Sequence, residues 1–272
     1  MSNRSGAVQL LIAYLSFVSL GLYDGLLGVA WPSIRQTFGV PLDALGVILA
    51  AGTAGFFIVG ANSGWITSRL GLGALLVLGN GLRIGGILGI ALAPSWWGVA
   101  GAALVVGMGT GAHDAGFNTY VALNHSPSRM NWLHACYGIG TTLGPTLLLA
   151  AATLGTWQLS YGAIALLQGT LTLYVVLTLG QWRAGPESAA PRPGPTRQTG
   201  ASRALRLPVV WLGIILFFTF VGVEASAGQW SYTLFTEGRR TAPATAAFWV
   251  SLYWGSFTVG RILLGAIADR IE

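Results

Sequence analysis

The sequence predicts an all-α membrane protein that crosses the bilayer several times, and three observations predict it. Of the 272 residues, 53% are hydrophobic and only 8% are charged, where a soluble domain carries about 25% charged residues. The mean hydropathy is +0.66. The apolar residues gather into eight runs separated by short polar breaks, each close to the ~20 residues a helix needs to cross the hydrocarbon. A transmembrane barrel would alternate in segments of about ten residues instead. This composition excludes an ordinary soluble enzyme, and it excludes disorder, which needs low hydrophobicity and high charge. The isoelectric point near 10.0 does not signal nucleic acid, because most arginines are spread over the ends of apolar runs, with one small cluster in a linker. The lone cysteine, Cys136, excludes a disulfide framework and a cysteine-based zinc site.

The eight runs cover 8–31, 44–66, 72–92, 96–123, 132–154, 157–181, 208–235 and 244–268. Arg4 precedes the first run as in a signal peptide, but the run is too long and no small-residue cleavage site follows, so it reads as a retained helix. Trp31-Pro32-Ser33 is expected to end the first helix. Ala93-Pro94-Ser95 separates the third and fourth, and His125-Ser126-Pro127-Ser128-Arg129 separates the fourth and fifth. Residues 183–206 hold four prolines and five arginines with one acid, Glu187, and read as a flexible linker that buries no core.

Arginine placement sets the expected orientation. With the N-terminus cytoplasmic, nine arginines fall on cytoplasmic segments, three fall outside (Arg35, Arg239 and Arg240), and Arg83 and Arg261 sit within helices. The expected organisation is a six-helix bundle over 1–182, a cytoplasmic linker over 183–206, and two further helices over 207–272.

The end of the second run, Gly64-Trp65-Ile66-Thr67-Ser68-Arg69, is echoed 201 residues later by Gly265-Ala266-Ile267-Ala268-Asp269-Arg270. Gly21 and Gly222 match at the same offset, and each of their runs carries a mid-helix acid, Asp24 and Glu224. A repeat of this size implies two related halves, an arrangement common in secondary transporters. The first half has six helices and the second only two, so the chain is expected to be a C-terminally truncated piece of a protein with twelve spans.

A charge at the bilayer centre costs about 2.5–3.5 kcal/mol on insertion scales, so intramembrane ionisable groups need an interior role. Asp24 lies near the middle of the first run, with Gly21, Gly28 and Trp31 on its helical face. It is expected to bind solute hydroxyls or to carry a proton; the alternative is a structural pair with an arginine such as Arg83. On the fourth helix, Asp114 and Asn118 are neighbours at i and i+4, with Thr110 one turn before and His113 adjacent. This polar stripe suits sugar hydroxyls or a relayed proton, and otherwise serves as interhelical glue. His134 shares a face of the fifth helix with Asn131 and is a candidate for a gate or proton path; the glycines around it suit close packing. Glu224 is the second-half counterpart of Asp24. Trp230 is expected to wall a cavity, its plainer reading being an interfacial belt residue. Arg83, about 16 Å along its helix at ~1.5 Å per residue, must point into protein. No metal site is expected, because His113, Asp114 and His134 show no metal-binding spacing.

With these residues in view, the chain resembles the major facilitator superfamily. The resemblance is carried by Gly64, Ser68, Arg69 and Gly71 after the second helix and by Gly265, Asp269 and Arg270 after the eighth, which are similar to the family's G-x-x-x-D-R-x-G loop. Ser68 departs from that pattern. A narrower resemblance is to the fucose:proton symporter-like branch. It is carried by residues 109–118 in the fourth helix, by 130–140 with Leu143-Gly144-Pro145 in the fifth, and by Val221-Gly222-Val223-Glu224 and Gly228-Gln229-Trp230 in the seventh.

The resemblance implies alternating access by two bundles around a central cavity faced by helices one, four and seven. It implies a conformational role for the Gly64, Arg69, Gly265, Asp269 and Arg270 loops. The expected function is proton-coupled symport of a sugar-like small polar solute by a monomeric carrier in the bacterial inner membrane, with no cofactor beyond the proton gradient. The rival within the fold is an efflux antiporter of drugs or metabolites. An intramembrane hydrolase is disfavoured, since Ser202 lies in the linker and Cys136 has no evident base. No G-x-x-x-x-G-K-[S/T] loop exists, and the chain has no lysine to complete one.

Overall fold

The computed structural model describes residues 3–182 and 206–268, with side chains from 6 to 182 and from 206 to 263. Asp269, Arg270 and the expected linker, Arg206 apart, lie outside the described residues. Nine helices are formed among them: α1 Asn3–Phe38, α2 Leu45–Gly60, α3 Ser63–Leu70, α4 Leu72–Leu92, α5 Trp96–Asn124, α6 Pro127–Ala152, α7 Gln158–Leu177, α8 Pro208–Thr233 and α9 Pro243–Ala268. Six stretches are long and apolar enough to cross a membrane: Gly6–Phe38, Leu42–Gly60, Leu72–Leu92, Pro127–Ala152, Gln158–Leu177 and Pro208–Gly238. Helices α5 and α9, of 29 and 26 residues, have spanning length and pack into the same bundle.

Three boundaries differ most from the sequence expectation: the ends of the first and second runs, and the start of α6, which begins at Pro127 and takes in Ser128 and Arg129 of the expected break. Helix α1 does not stop at Trp31-Pro32-Ser33; it runs through Pro32 to Phe38. Proline removes one backbone donor and its ring crowds the carbonyl four residues back. The helix nonetheless continues, and beyond the proline Thr37 Oγ1 donates to the Ser33 carbonyl at 2.9 Å. The helix ends where Gly39 takes φ +64°, a conformation glycine adopts without strain. The second run breaks at Ala61-Asn62 and resumes as the short α3, which Gly71 ends at φ +85°. The break at Ala93-Pro94-Ser95 falls where expected. Ser95 Oγ accepts the Gly98 N–H at 3.3 Å as an N-cap, and Pro127 begins α6 where its missing donor is not needed.

Helices α1, α4, α5, α6 and α7 enclose a core pinned by buried polar contacts. Asn80 Oδ1 on α4 accepts from Gln168 Nε2 on α7 at 2.8 Å and lies 2.6 Å from His113 Nδ1 on α5. At one end, Tyr120 Oη donates to Gln9 Oε1 at 2.8 Å, and Gln9 Nε2 donates to the Gln181 carbonyl at 3.1 Å. Satisfying such groups matters because hydrocarbon supplies no substitute partner. Helices α8 and α9 dock on α1 and α6. Tyr232, Ala246, Ala247, Val250 and Trp254 of these helices join the core built on Tyr23, Leu26, Leu27, Ala30 and Trp31 of α1.

Candidate functional site

The α1–α6 contact sets the geometry of the site. A side chain at Gly21 would overlap the Tyr137 carbonyl oxygen, and one at Gly25 would overlap that of Thr141. Glycine at these positions lets the two backbones touch. The contact brings Asp24 of α1 against Tyr137 of α6, whose Oη donates to Asp24 Oδ2 at 3.0 Å.

Around this pair lies a cavity of about 630 Å³, lined by Phe17, Leu20, Asp24, Phe56, Thr110, Asp114, Asn131, His134, Tyr137 and Arg261. Its volume falls within the range of small-molecule sites. The lining comes from α1, α2, α5, α6 and α9, with α8 behind Arg261. Of the residues singled out in the sequence, Asp24, Asp114 and His134 share the cavity. Asn118 stands one turn from Asp114 and donates to its Oδ1 at 3.0 Å, fixing the carboxylate's direction. His134 lies within electrostatic reach of Asp114 and packs edge-on to Phe17, with ring centroids 5.7 Å apart.

The other candidates stand elsewhere. His113 is fully buried behind the wall, bound to Asn80 and packed on Phe17 and Phe117. Glu224 does not line the cavity; it receives Arg261 Nη2 at 3.1 Å, and that arginine does line it. Trp230 packs against the apolar core around Trp31 and Tyr232. Of the loop residues, Gly64 lies in open space, Arg69 lies 5.6 Å from the Trp65 ring, and Gly265 is in α9. Phe17, Phe56 and Tyr137 gave no sequence signal of their own, since an aromatic residue in an apolar run is ordinarily core.

Arg83 is not the direct partner of Asp24. Its Nη1 donates to Thr110 Oγ1 at 2.8 Å and its Nη2 reaches the Ser19 carbonyl at 3.5 Å, while the guanidinium lies 5.9 Å from the Tyr23 ring. It is fully buried yet close enough to Asp24 for a Coulombic interaction. A buried cation needs such compensation. Arg83 therefore holds positive charge behind the cavity wall, with Thr110 between it and the hollow.

One end of the cavity is exposed. Asp24 is its deepest acid, and Asn131 and His134, exposed in the first turns of α6, mark its mouth near the α5–α6 connection. The opposite end is closed. Gly28 of α1 lies against the backbone of Gln229 on α8, and Gln229 Nε2 donates to the Asp24 carbonyl at 3.0 Å. Farther out, Arg35 forks onto Glu237 through Nε–Oε1 at 3.2 Å and Nη2–Oε2 at 2.6 Å. Their side chains are 29% and 36% exposed, so water screens the pair. A double-mutant cycle with Arg35→Ala and Glu237→Ala is expected to give a coupling of about 1 kcal/mol or less in thermal unfolding, and more than ~2 kcal/mol would contradict that reading.

Chemically, the cavity offers two carboxylates as acceptors, Asn131, Tyr137, Thr110 and Arg261 as donors, and the rings of Phe17 and Phe56 as apolar faces. It suits a polar solute with several hydroxyl groups and one less polar face. Among the described residues, no group of three or more His, Cys, Asp or Glu side chains could hold a metal ion.

Comparison with known proteins gives a consistent picture. The family model of the Major Facilitator Superfamily matches residues 13–272. The chain is 20% identical to "Bypass of stop codon protein 6" of Saccharomyces cerevisiae (strain ATCC 204508 / S288c) over 286 residues, 97% of the chain and 57% of that protein. It is 22% identical to the glucose/mannose transporter GlcP of Bacillus subtilis (strain 168), over 96% of the chain and 66% of that protein. The chain thus spans well over half, but less than two thirds, of the length of these curated relatives. Among solved structures, a D-xylose-proton symporter superposes with a TM-score of 0.65 at 15% identity, over 96% of this chain and 68% of that one. The peptide transporter POT in complex with sulfate gives 0.54 at 17% identity, over 77% of this chain and 45% of that one.

Proposed function

The chain belongs to the major facilitator superfamily and is an integral membrane protein, and from that premise we propose that it carries out proton-coupled symport of a sugar-like small polar solute. One observation supports this most. A solute-sized cavity inside the bundle gathers Asp24 and Asp114 with the donors Asn131 and Tyr137 and the rings of Phe17 and Phe56. Carboxylates in such a place accept hydroxyl hydrogen bonds and also accept protons, so one site can couple the two. The glucose/mannose transporter and the D-xylose-proton symporter lend the sugar reading their support by likeness.

The arginine bias supports a cytoplasmic N-terminus. In that orientation the mouth at Asn131 and His134 opens to the cytoplasm, and the Gly28–Gln229 contact with the Arg35–Glu237 pair closes the outer side. The arrangement then corresponds to an inward-facing state, and alternating access requires those outer contacts to part. By their matching places in the internal repeat, Gly64 and Arg69 of α3, Gly265 of α9, and Asp269 and Arg270 would take part in that movement at the cytoplasmic face.

The test is a solute panel on the complete gene product in proteoliposomes, with and without an inward proton gradient. Neutral pentoses and hexoses are expected to accumulate only with the gradient, each with accompanying alkalinisation outside. Gradient-driven expulsion of lipophilic cations with no sugar accumulation would instead establish the efflux antiporter and defeat the symport reading.

A further inference from the structure

The cavity wall contains one hydrogen bond whose position gives it control over Asp24. Tyr137 Oη donates to Asp24 Oδ2 at 3.0 Å. The backbone on both sides is held rigidly, because Gly21, three residues before Asp24, packs on the carbonyl of Tyr137 itself. Tyr137 also lines the cavity, so this bond faces the place where a solute would lie.

The surrounding charged and titratable groups act at longer range or are bound elsewhere. Tyr23 on α1 and Arg83 on α4 interact electrostatically with Asp24, but Arg83's hydrogen bonds go to Thr110 and Ser19. Glu224 on α8 and Arg261 on α9 face the Tyr137 phenol and bind each other. Gln229 on α8 bonds the Asp24 backbone carbonyl and leaves the carboxylate alone. Among the described residues, Tyr137 is the one hydrogen-bond donor to the Asp24 carboxylate.

We propose that Tyr137 is a positioning residue for Asp24, holding its carboxylate toward the cavity and yielding its place at Oδ2 to a solute hydroxyl. This rests on the reading of Asp24 as the proton- and solute-binding acid. A donor to a carboxylate favours its ionised form. While the phenol is in place, the proton therefore leaves Asp24 more readily. When Asp24 is protonated its O–H can instead donate to a solute hydroxyl oxygen at the place the phenol leaves, so a bound solute favours the protonated carboxyl and one atom position links solute occupancy to proton occupancy.

The experiment measures the pH dependence of proton-driven sugar uptake in the complete gene product, comparing wild type with Tyr137→Phe. Without the phenol, Asp24 keeps its proton to higher pH. The alkaline limb of uptake therefore moves up by about one pH unit, corresponding to about tenfold tighter proton binding. Uptake at acidic pH persists. Tyr161→Phe, a buried tyrosine of α7 away from the cavity, leaves the limb in place. Tyr137→Gln and Tyr137→Leu cover the event that the phenylalanine variant accumulates poorly: glutamine keeps a donor and lies nearer the wild-type limb than leucine.

A Tyr137→Phe profile that loses maximal rate with an unmoved limb would overturn the proposal, leaving Tyr137 as a packing residue. If Asp24→Asn instead retains full proton coupling, the underlying reading of the cavity fails, and the two failures are separate.

Discussion

On the symport proposed above, Asp24→Asn is expected to abolish proton-coupled uptake in the complete protein while sparing solute exchange. The amide keeps an acceptor for the Tyr137 phenol, so the 3.0 Å contact survives and the wall keeps its shape. It cannot take up and release a proton at any physiological pH, so the step that couples proton flow to solute flow is lost. Accumulation driven by a pH gradient is expected to fall to background, whereas counterflow of labelled solute against unlabelled solute, which needs no net proton movement, continues. Asp114→Asn is expected to act in the same direction with a smaller effect, because Asp114 lies nearer the mouth and has His134 and Asn118 beside it. Undiminished uptake-linked alkalinisation in Asp24→Asn would refute the role.

Gly21→Leu disrupts the bundle more than any single change at the cavity surface. Even a methyl group there would overlap the Tyr137 carbonyl oxygen and stand 2.8 Å from the Thr141 nitrogen. Both obstacles are backbone, so no rotamer change relieves them. Overpacking a tight contact costs about 1–3 kcal/mol and often more when backbone must shift. For a domain of this size that corresponds to a fall of about 2–12 °C in the thermal midpoint. The same displacement pulls Tyr137 away from Asp24, so coupling weakens beyond what the lost stability explains. Gly169→Ala on α7, where a methyl group meets nothing within 4 Å, is the control; it is expected to be neutral or slightly stabilising, since alanine favours helix over glycine. Equal midpoints for the two variants would contradict the packing account.

The helices were legible because spanning the bilayer demands long apolar runs whatever their partners. Pro32 misled because a proline can be carried through a helix that its neighbours hold in place, and α1 is packed against α6, α7 and α8. The break at Ala61-Asn62 was hidden by continuous hydropathy on either side. At the site, Asp24, Asp114 and His134 stood out because polar groups are costly in hydrocarbon, and that cost is visible in sequence. Which of them share a hollow was not. His113 is as polar as Asp114 and adjacent to it, yet the helical turn of about 100° per residue directs it to Asn80 instead. Trp230 and Phe56 carry the opposite lesson: aromatic residues suit a core and a cavity wall equally, and only the packing of helices distant in sequence decides between them. The pairing of Arg261 with Glu224, 37 residues apart, likewise depends on how α8 and α9 cross.

A carrier of this kind requires a wet hollow that reaches Asp24 from the exposed end at Asn131. The most direct measurement is labelling of single cysteines by a small hydrophilic thiol reagent in membranes, in a Cys136→Ala background. Asp24→Cys, Thr110→Cys, Asp114→Cys and His134→Cys are predicted to react at rates set by water access, while His113→Cys, behind the wall, stays unlabelled. Unreactive cysteines at positions 24 and 114, or labelling at 113 as fast as at 114, would contradict it.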